Sequence, residues 1–359
     1  MRQLKPPAAP ADLNESLDRL CSLAAGPVCV AVSGGSDSLA LLKIAAGWAG
    51  ASGRSLLALT VDHGLRPEAA DEARFVADVA ARLGAPHRTL RWPAPVPGQA
   101  KARQARHELL AAAAREAGSV IILTAHTQDD QAETFLIRAR AGSGWYGLAG
   151  IQPLSLSPAG GTGVPVLVAR PLLSASRAGL REMLRAEGQD WVEDPSNSDP
   201  AYERVRMRQL LAAEPALRAR VLALQEKLQL LRQVQDRSLG RWLSADVEIR
   251  ADGTLRTPLP IPPGEMGERA LGALIALAGG RTRPLRTDAL SRLTRRVANP
   301  DTLRPATLGG AAIRIKNGNL KVAAEHALPA EQVNAIPARL SAMVTACSAA
   351  YEIKCPRRS

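Results

Sequence analysis

Aromatic side chains are nearly missing from this chain: Phe, Trp and Tyr make up 3% of its 359 residues. Recognition of nucleic acid through rows of stacked bases is therefore disfavoured, and any such contact would lean on charge. Cysteine is as scarce. The four are Cys21, Cys29, Cys347 and Cys355, and none forms a C-x-x-C pair. That spacing indicates neither a disulfide framework nor a zinc site, and it leaves the reducing cytoplasm as the expected location. No apolar run reaches membrane-spanning length, and Met1–Pro6 leads into no signal-like apolar core, so no membrane association is expected. Acidic residues are also short: 34 against 46 Lys and Arg, for a net charge of +12. A basic excess favours a polyanionic partner, and Arg suits bidentate phosphate contacts. A codon preference for Arg and Ala in a high-GC genome accounts for part of that bias.

Two familiar phosphate loops are absent as well. There is no G-x-x-x-x-G-K-[ST] and no G-x-G-x-x-G spacing. What is present is Val28-Cys29-Val30-Ala31-Val32-Ser33-Gly34-Gly35-Ser36-Asp37-Ser38, followed by Leu39, Leu41, Leu42, Ala45 and Ala46 at helical spacing. This is a buried strand, a tight loop and a helix. The free N–H groups of the loop and first helical turn, at the positive end of the helix dipole, favour an anion, and phosphate is the usual one. Gly34 and Gly35 are expected to take φ > 0 and let backbone approach closely. Ser33, Ser36 and Ser38 add hydroxyls. Asp37 would repel phosphate unless a divalent cation lay between, so it reads as a Mg²⁺ contact. The plainer alternative is a Ser/Gly turn capping a helix, with Asp37 an ordinary first-turn acid.

Further strands are expected at 56–61, 88–92 and 120–124, alternating with helices at 67–83, 99–117 and from about Asp129. Val166–Arg170 reads as an edge strand, Gly160–Gly163 as a turn between it and another short strand, and 176–188 and 202–211 read as helices. Alternation of this kind gives right-handed parallel βαβ units and an α/β, doubly wound parallel sheet. Ligands bind at the carboxyl ends of such strands. The clusters Ser33–Ser38, Asp62-His63 and Ala125-His126-Thr127-Gln128-Asp129-Asp130 all lie at such ends. Beyond Pro215 the pattern changes: helix over 216–243, then hairpin signals at Asp252-Gly253 and Asn317-Gly318 around a helix at 264–278. The expected organisation is an α/β domain over 1–215, a smaller α+β domain over 216–335, and a tail over 336–359.

The loop resembles the Ser-Gly-Gly-x-Asp-Ser loop of the N-type ATP pyrophosphatases, which split ATP between the α and β phosphates. More of the chain is similar to one branch of them, the tRNA(Ile)-lysidine synthase family. The matching stretches are Val61–Arg66, Ala102-Arg103-Gln104-Ala105-Arg106, His126-Thr127-Gln128-Asp129-Asp130-Gln131-Ala132-Glu133-Thr134, Gly142–Gly150, Arg170–Leu173 and Glu193–Asn197, with a weaker match at Leu308-Gly309-Gly310. Two departures stand out. Val205 replaces an Asn in Arg204-Val205-Arg206-Met207-Arg208, and Ala141 replaces an Arg before Gly142. Both bear on RNA contacts rather than on the ATP site.

The resemblance implies an adenine nucleotide alpha hydrolase-like fold, ATP and Mg²⁺ as cofactors, and two substrates: free L-lysine and an isoleucine tRNA with a CAU anticodon. A homodimer is one oligomeric option. Asp37 and Asp130 are the expected metal ligands, with Asp129 the rival to Asp130 because one of a consecutive pair often caps the helix. His126 is expected to contact nucleotide or intermediate, Arg106 with Arg103 to offset phosphate charge, and Glu133 to orient a neighbour or receive the lysine ammonium. For each the alternative is structural: a hydrogen-bonding His (the reading kept for His63), or a solvated helix face beside Glu108. Arg138, Arg140, Arg204, Arg206 and Arg208 are the expected RNA contacts. Rival functions are a PP-loop enzyme of tRNA thiolation, which would carry paired C-x-x-C cysteines, and a non-catalytic RNA-binding protein.

Overall fold

A computed structural model describes residues 11–64, 69–93, 95, 98–159, 163–194, 199–280, 285, 287–299 and 303–348. They fall into two compact units. One takes residues 11–155 and 166–233, the other 156–165 and 234–348.

In the first unit, helix α1 (Ala11–Cys21) precedes β1 (Val28–Ala31), α2 (Ser36–Ser52), β2 (Leu56–Asp62), α3 (Ala69–Arg82), β3 (His87–Arg91), α4 (Gln99–Glu116) and β4 (Ile121–Leu123). Then come α5 (Gln128–Arg140), α6 (Trp145–Leu148), β5 (Leu154–Leu156), β6 (Leu167–Ala169), α7 (Arg177–Ala186), α8 (Glu203–Ala213) and α9 (Pro215–Asp246). The sheet order is β3-β2-β1-β4-β6-β5. The pairs β1–β2, β1–β4, β2–β3 and β4–β6 are parallel. Val28, Cys29, Val30, Ile121, Ile122 and Leu123 are all buried, because helices cover both faces of a parallel sheet and its strands read as unbroken apolar runs. Val166–Arg170 is not an edge strand. β6 lies between β4 and β5 with all three residues buried, because Leu154–Leu156, too short to show a period, supplies the edge. Strand order reverses between β1 and β4, and their carboxyl ends flank that switch point, where open α/β sheets bind ligands.

α5 is gripped from two sides. Ala132 and Phe135 share a buried cluster with Leu211 of α8 and Val221 of α9. Gln225 of α9 donates to the Gln131 carbonyl and side-chain oxygen at 3.2 Å each, and Gln131 exchanges two hydrogen bonds with the Ile151 backbone at 2.8 Å. Gly150, at φ +81°, leaves no room for a Cβ beside these two amides. The Gly-rich stretch is therefore closely packed at its Gly150 end, while Gly142 and Gly144 are exposed.

The second unit holds β7 (Glu248–Ile249), β8 (Leu255–Pro258), α10 (Gly264–Ala278), α11 (Thr287–Val297), β9 (Ala306–Leu308), β10 (Ala311–Lys316), β11 (Asn319–Ala324) and α12 (Ala330–Ser348). Its antiparallel sheet runs β7-β8-β11-β10-β9. Asn317 and Gly318 both have positive φ, as a tight two-residue hairpin requires. α10 buries Leu271, Leu274, Ile275 and Leu277 in this unit's core. The change of pattern near 215 coincides with the start of α9, and the two units divide further along that helix, between residues 233 and 234. α12 extends into the span read as a tail, while residues 349–359 lie outside the described ones, as do Leu65-Arg66, Gly160–Thr162 and Pro195–Asn197. Among the described residues no helix is long and apolar enough to cross a membrane.

Candidate active site

The Ser33–Ser38 loop joins β1 to the N-terminus of α2. Gly35 is the N-cap and no side chain caps the helix, so the first-turn N–H groups keep their affinity for an anion. Only Gly34 has positive φ, at +85°. Gly35 sits at φ −71°, which corrects the expectation that both glycines need the left-handed region. Val192 donates its N–H to the Gly34 carbonyl at 2.9 Å, and a Cβ on Gly34 would meet the Val192 side chain at 3.2 Å. Ser38 serves the loop itself: its hydroxyl accepts from the Ser33 N–H at 3.1 Å and donates to the Gly35 carbonyl at 2.9 Å. Ser36 donates to Asp37 Oδ1 at 3.3 Å.

Across the switch point, β4 delivers His126 and the start of α5. Thr127 is the N-cap and forms a capping box with Asp130. The Thr127 N–H and hydroxyl donate to Asp130 Oδ2 at 2.8 and 2.9 Å, and the Asp130 N–H donates back to Thr127 Oγ1 at 3.4 Å. The capping acid of the pair is thus Asp130, not Asp129, and its Oδ1 remains to face the site. Asp129 instead accepts the Arg177 backbone N–H at 2.7 Å and Arg218 at 3.0 Å.

One residue the sequence reading did not single out joins these acids. Arg177, the first residue of α7 after its Ser176 cap, donates from Nε to Asp37 Oδ2 at 2.9 Å, from Nη2 to Asp130 Oδ1 at 3.4 Å and from Nη1 to Glu133 Oε1 at 3.3 Å. The one local oddity is a cation in a helix's first turn, where the dipole disfavours it, and that does not say which partner it will meet. α7 packs on α2, and its Leu180 and Leu184 are buried. This places Arg181, one turn on, within 3.2 Å of the Ser36 hydroxyl and 3.0 Å of Glu193. Arg181 and Arg185 both stack on Trp191, which holds the Trp191–Val192 segment against the loop.

Burial raises the Asp37 carboxyl above the ordinary carboxylate range despite the Arg177 charge. Asp130 beside the same guanidinium moves the other way. Burial pushes it up, but Arg177 and the Thr127 hydrogen bonds outweigh that and hold it low. The difference is the capping box, which Asp37 lacks. Burial lowers His126 to about 3, helped by Arg170. Its Nδ1 lies 3.1 Å from the Thr124 hydroxyl. It is a neutral hydrogen-bonding group at neutral pH. Burial likewise lowers His107 to about 4, with Arg103 and Arg106 adding to the effect. Between pH 6.5 and these values the unfolded chain binds protons that the folded chain refuses. This stability is complete above pH 6.5 and drains as pH falls through that window. Asp37 acts in the opposite sense, but nearer the carboxylate range. The melting temperature is expected to drop from pH 7 to pH 5, and His107→Gln to flatten the drop; a flat wild-type profile would refute this.

Glu133 is 1% exposed. Arg208 Nε donates to its Oε1 at 2.8 Å, while Arg204 Nε lies 3.4 Å from Oε2, which accepts no hydrogen bond. Val205 and Met207 are buried between the arginines, as their spacing requires. Arg138 donates to the Gly147 and Gly150 carbonyls at 2.7 and 2.9 Å, so it fixes the α6 turn. Arg140 and Arg206 are exposed, the first 3.5 Å from Glu203 and the second donating to the Pro200 and Ala201 carbonyls. Arg103 and Arg106 lie close enough to Arg204 for mutual repulsion, added to burial, to lower both. Glu108 does not offset them; it accepts from Gln104. Cys21 and Cys29 are buried, and burial pushes the Cys21 thiol up to about 12, so neither is poised for sulfur chemistry.

Residues 11–214 match the PP-loop domain family. A tRNA(Ile)-lysidine synthase of Hyphomonas neptunium is 48% identical over 294 residues, covering 82% of this chain and 80% of that protein. The chain belongs to the tRNA(Ile)-lysidine synthase family. Another member, from Methylobacterium nodulans, is 41% identical over 345 residues and is matched over 97% of its length. A third, from Zymomonas mobilis, is 40% identical over 284 residues, 77% of this chain and 83% of that protein. In this family member the PP-loop therefore ends against Asp37, with the Asp129–Glu133 turn of α5 and the first turn of α7 facing it.

Proposed function

We propose that this chain joins free L-lysine to C2 of the wobble cytidine of an isoleucine tRNA with a CAU anticodon, with ATP as the energy source. ATP adenylates the C2 oxygen and pyrophosphate leaves. The lysine ε-amine then attacks C2, and AMP departs with the former C2 oxygen. The observation that carries this reading is an uncapped helix N-terminus behind a Ser-Gly-Gly-Ser-Asp-Ser loop, facing the Asp130 and Glu133 carboxylates across one guanidinium.

In this reading Ser33, Gly34, Gly35, Ser36 and Ser38 surround the pyrophosphate, with loop and helix N–H groups donating to it. Asp37 and Asp130 suit Mg²⁺ by donor type. Together they offer two carboxylates, the number that a Mg²⁺ ion shared with substrate phosphates usually takes from a protein. Bound there, Mg²⁺ would neutralise charge building on the leaving pyrophosphate. Arg106 and Arg103, with no carboxylate set against them among the described residues, stabilise an anionic group beside neutral His126. Glu133 already faces three guanidinium groups, which favours an orienting role over receipt of the lysine ammonium.

The test is incubation with ATP, radiolabelled lysine and unmodified isoleucine tRNA carrying CAU. Lysine should enter the tRNA with equal AMP and pyrophosphate. ADP as the main product would remove the chain from this chemistry.

Arg204 and Arg208 are the remaining question for tRNA binding, since Glu133 engages both. Arg140 and Arg206, which are exposed, are the stronger candidates for phosphate contacts. Each such contact contributes roughly 0.7 to 0.9 to the slope of log K against log salt. Arg140→Ala with Arg206→Ala is expected to flatten that slope by more than Arg204→Ala with Arg208→Ala. The reverse order would return the RNA-binding role to the Glu133 pair.

A further inference from the structure

Three carboxylates from two helices converge on the guanidinium of Arg177, and the atoms involved are specific. Asp130 gives Oδ2 to its capping box and Oδ1 to Arg177. Asp37 gives Oδ2 to Arg177, while its Oδ1, among the described residues, accepts a 3.3 Å hydrogen bond from Ser36. The Asp130 oxygen left for a metal is therefore the one that Arg177 holds, while Asp37 keeps Oδ1 beside the oxygen that Arg177 holds. Mg²⁺ takes carboxylate oxygens at roughly 2.0–2.1 Å, so it and the guanidinium compete for Asp130 Oδ1 in space and for both carboxylates in charge.

Resting on the reading that Asp37 and Asp130 carry Mg²⁺ for ATP, we propose that Arg177 is the counter-cation of the nucleotide-free site. It holds both carboxylates, keeps a divalent ion from binding alone, and gives them up when the triphosphate arrives with its metal. Three features of the geometry support this. The α7 backbone is anchored independently, by the Arg177 N–H on Asp129 at 2.7 Å and by the Ser176 cap, so the side chain can turn without moving the helix. Its destination is close: Arg181, one turn further along α7, already reaches Ser36 in the phosphate loop at 3.2 Å. A guanidinium is also a good partner for phosphate oxygens. Glu133, the third acid, keeps Arg208 and Arg204 when Arg177 leaves, so no buried charge is abandoned. Arg177 is a positioning residue in this account: it sets when the carboxylates become available and touches no reacting bond.

The test reads Mn²⁺ binding by paramagnetic resonance, without and with a non-hydrolysable ATP analogue. Wild-type protein should bind Mn²⁺ weakly alone and much more tightly with the analogue. R177Q should bind Mn²⁺ alone at least about tenfold more tightly, with the analogue-dependent gain correspondingly reduced. R177K, shorter but still charged, should fall between them and carries the test if R177Q does not fold. Folded variants whose nucleotide-free Mn²⁺ affinity equals that of wild type would overturn the proposal. D37N reports separately on the underlying reading. If it leaves Mn²⁺ binding with the analogue intact, the metal assignment fails; if it abolishes that binding while R177Q and R177K match wild type, only the role of Arg177 fails.

Discussion

Asp37→Ala is expected to lower lysine transfer by about 10³-fold or more, the scale of losing a charge-handling group in a dry site, while tRNA binding stays within a few-fold of wild type. The side chain sits at the second position of α2, partly buried, with Arg177 as its charged partner. Removing it takes away a proposed metal ligand and leaves Arg177 with Asp130 and Glu133. Fold damage should be small, because Asp37 makes no capping bond and α2 is held by Leu39, Leu41 and Leu42, all fully buried. Filter binding of tRNA, a thermal melt and the lysine-transfer assay separate the three effects. Wild-type transfer would dismiss the metal role; a loss of tRNA binding as large as the loss of transfer would show that Asp37 shapes the whole site.

Glu133→Gln is expected to do the opposite: a large cost to stability, and loss of activity through position. Its carboxylate is 1% exposed and meets Arg208, Arg177 and Arg204 within 3.4 Å. Breaking a buried ion pair from one side costs about 3–5 kcal/mol. Arg208 and Arg204 are 33% and 45% exposed and can rehydrate, which lowers the expected cost to about 2–3 kcal/mol. For a unit of this size that is a melting shift on the order of 6–10 °C. Activity should fall as well, because α8 loses its polar tie to α5. A shift below about 2 °C would mean that the Ala132–Phe135–Leu211–Val221 cluster alone holds the two helices.

Much of this was legible from local pattern. The β1 run, the Ser/Gly loop and the α2 spacing appear in consecutive residues, and so does the Thr127–Asp130 start of α5, because strand, turn and cap chemistry act within a few residues. α10 falls at 264–278 as its spacing indicates, and the Asn317-Gly318 hairpin follows from two residues that tolerate positive φ. The α/β class followed from alternation, and the place of the site followed from polar clusters at strand ends. β9 and α6 were missed, since elements of three or four residues carry no period.

Only the tertiary structure decided which charges meet. Asp37 and Arg177 are 140 residues apart, and Glu133 and Arg208 are 75 apart. The order β2-β1-β4-β6 brings the three helix starts after β1, β4 and β6 to one end of the sheet. Nothing local distinguishes an arginine that will meet a phosphate from one that will meet a carboxylate, because side-chain chemistry is the same in both and the partner is set by packing. For the same reason, Arg138 reads like Arg140 in sequence, yet one fixes a turn and the other faces solvent. Sequence determined the parts and the end of the sheet where they gather; packing determined that Arg177 stands among the acids.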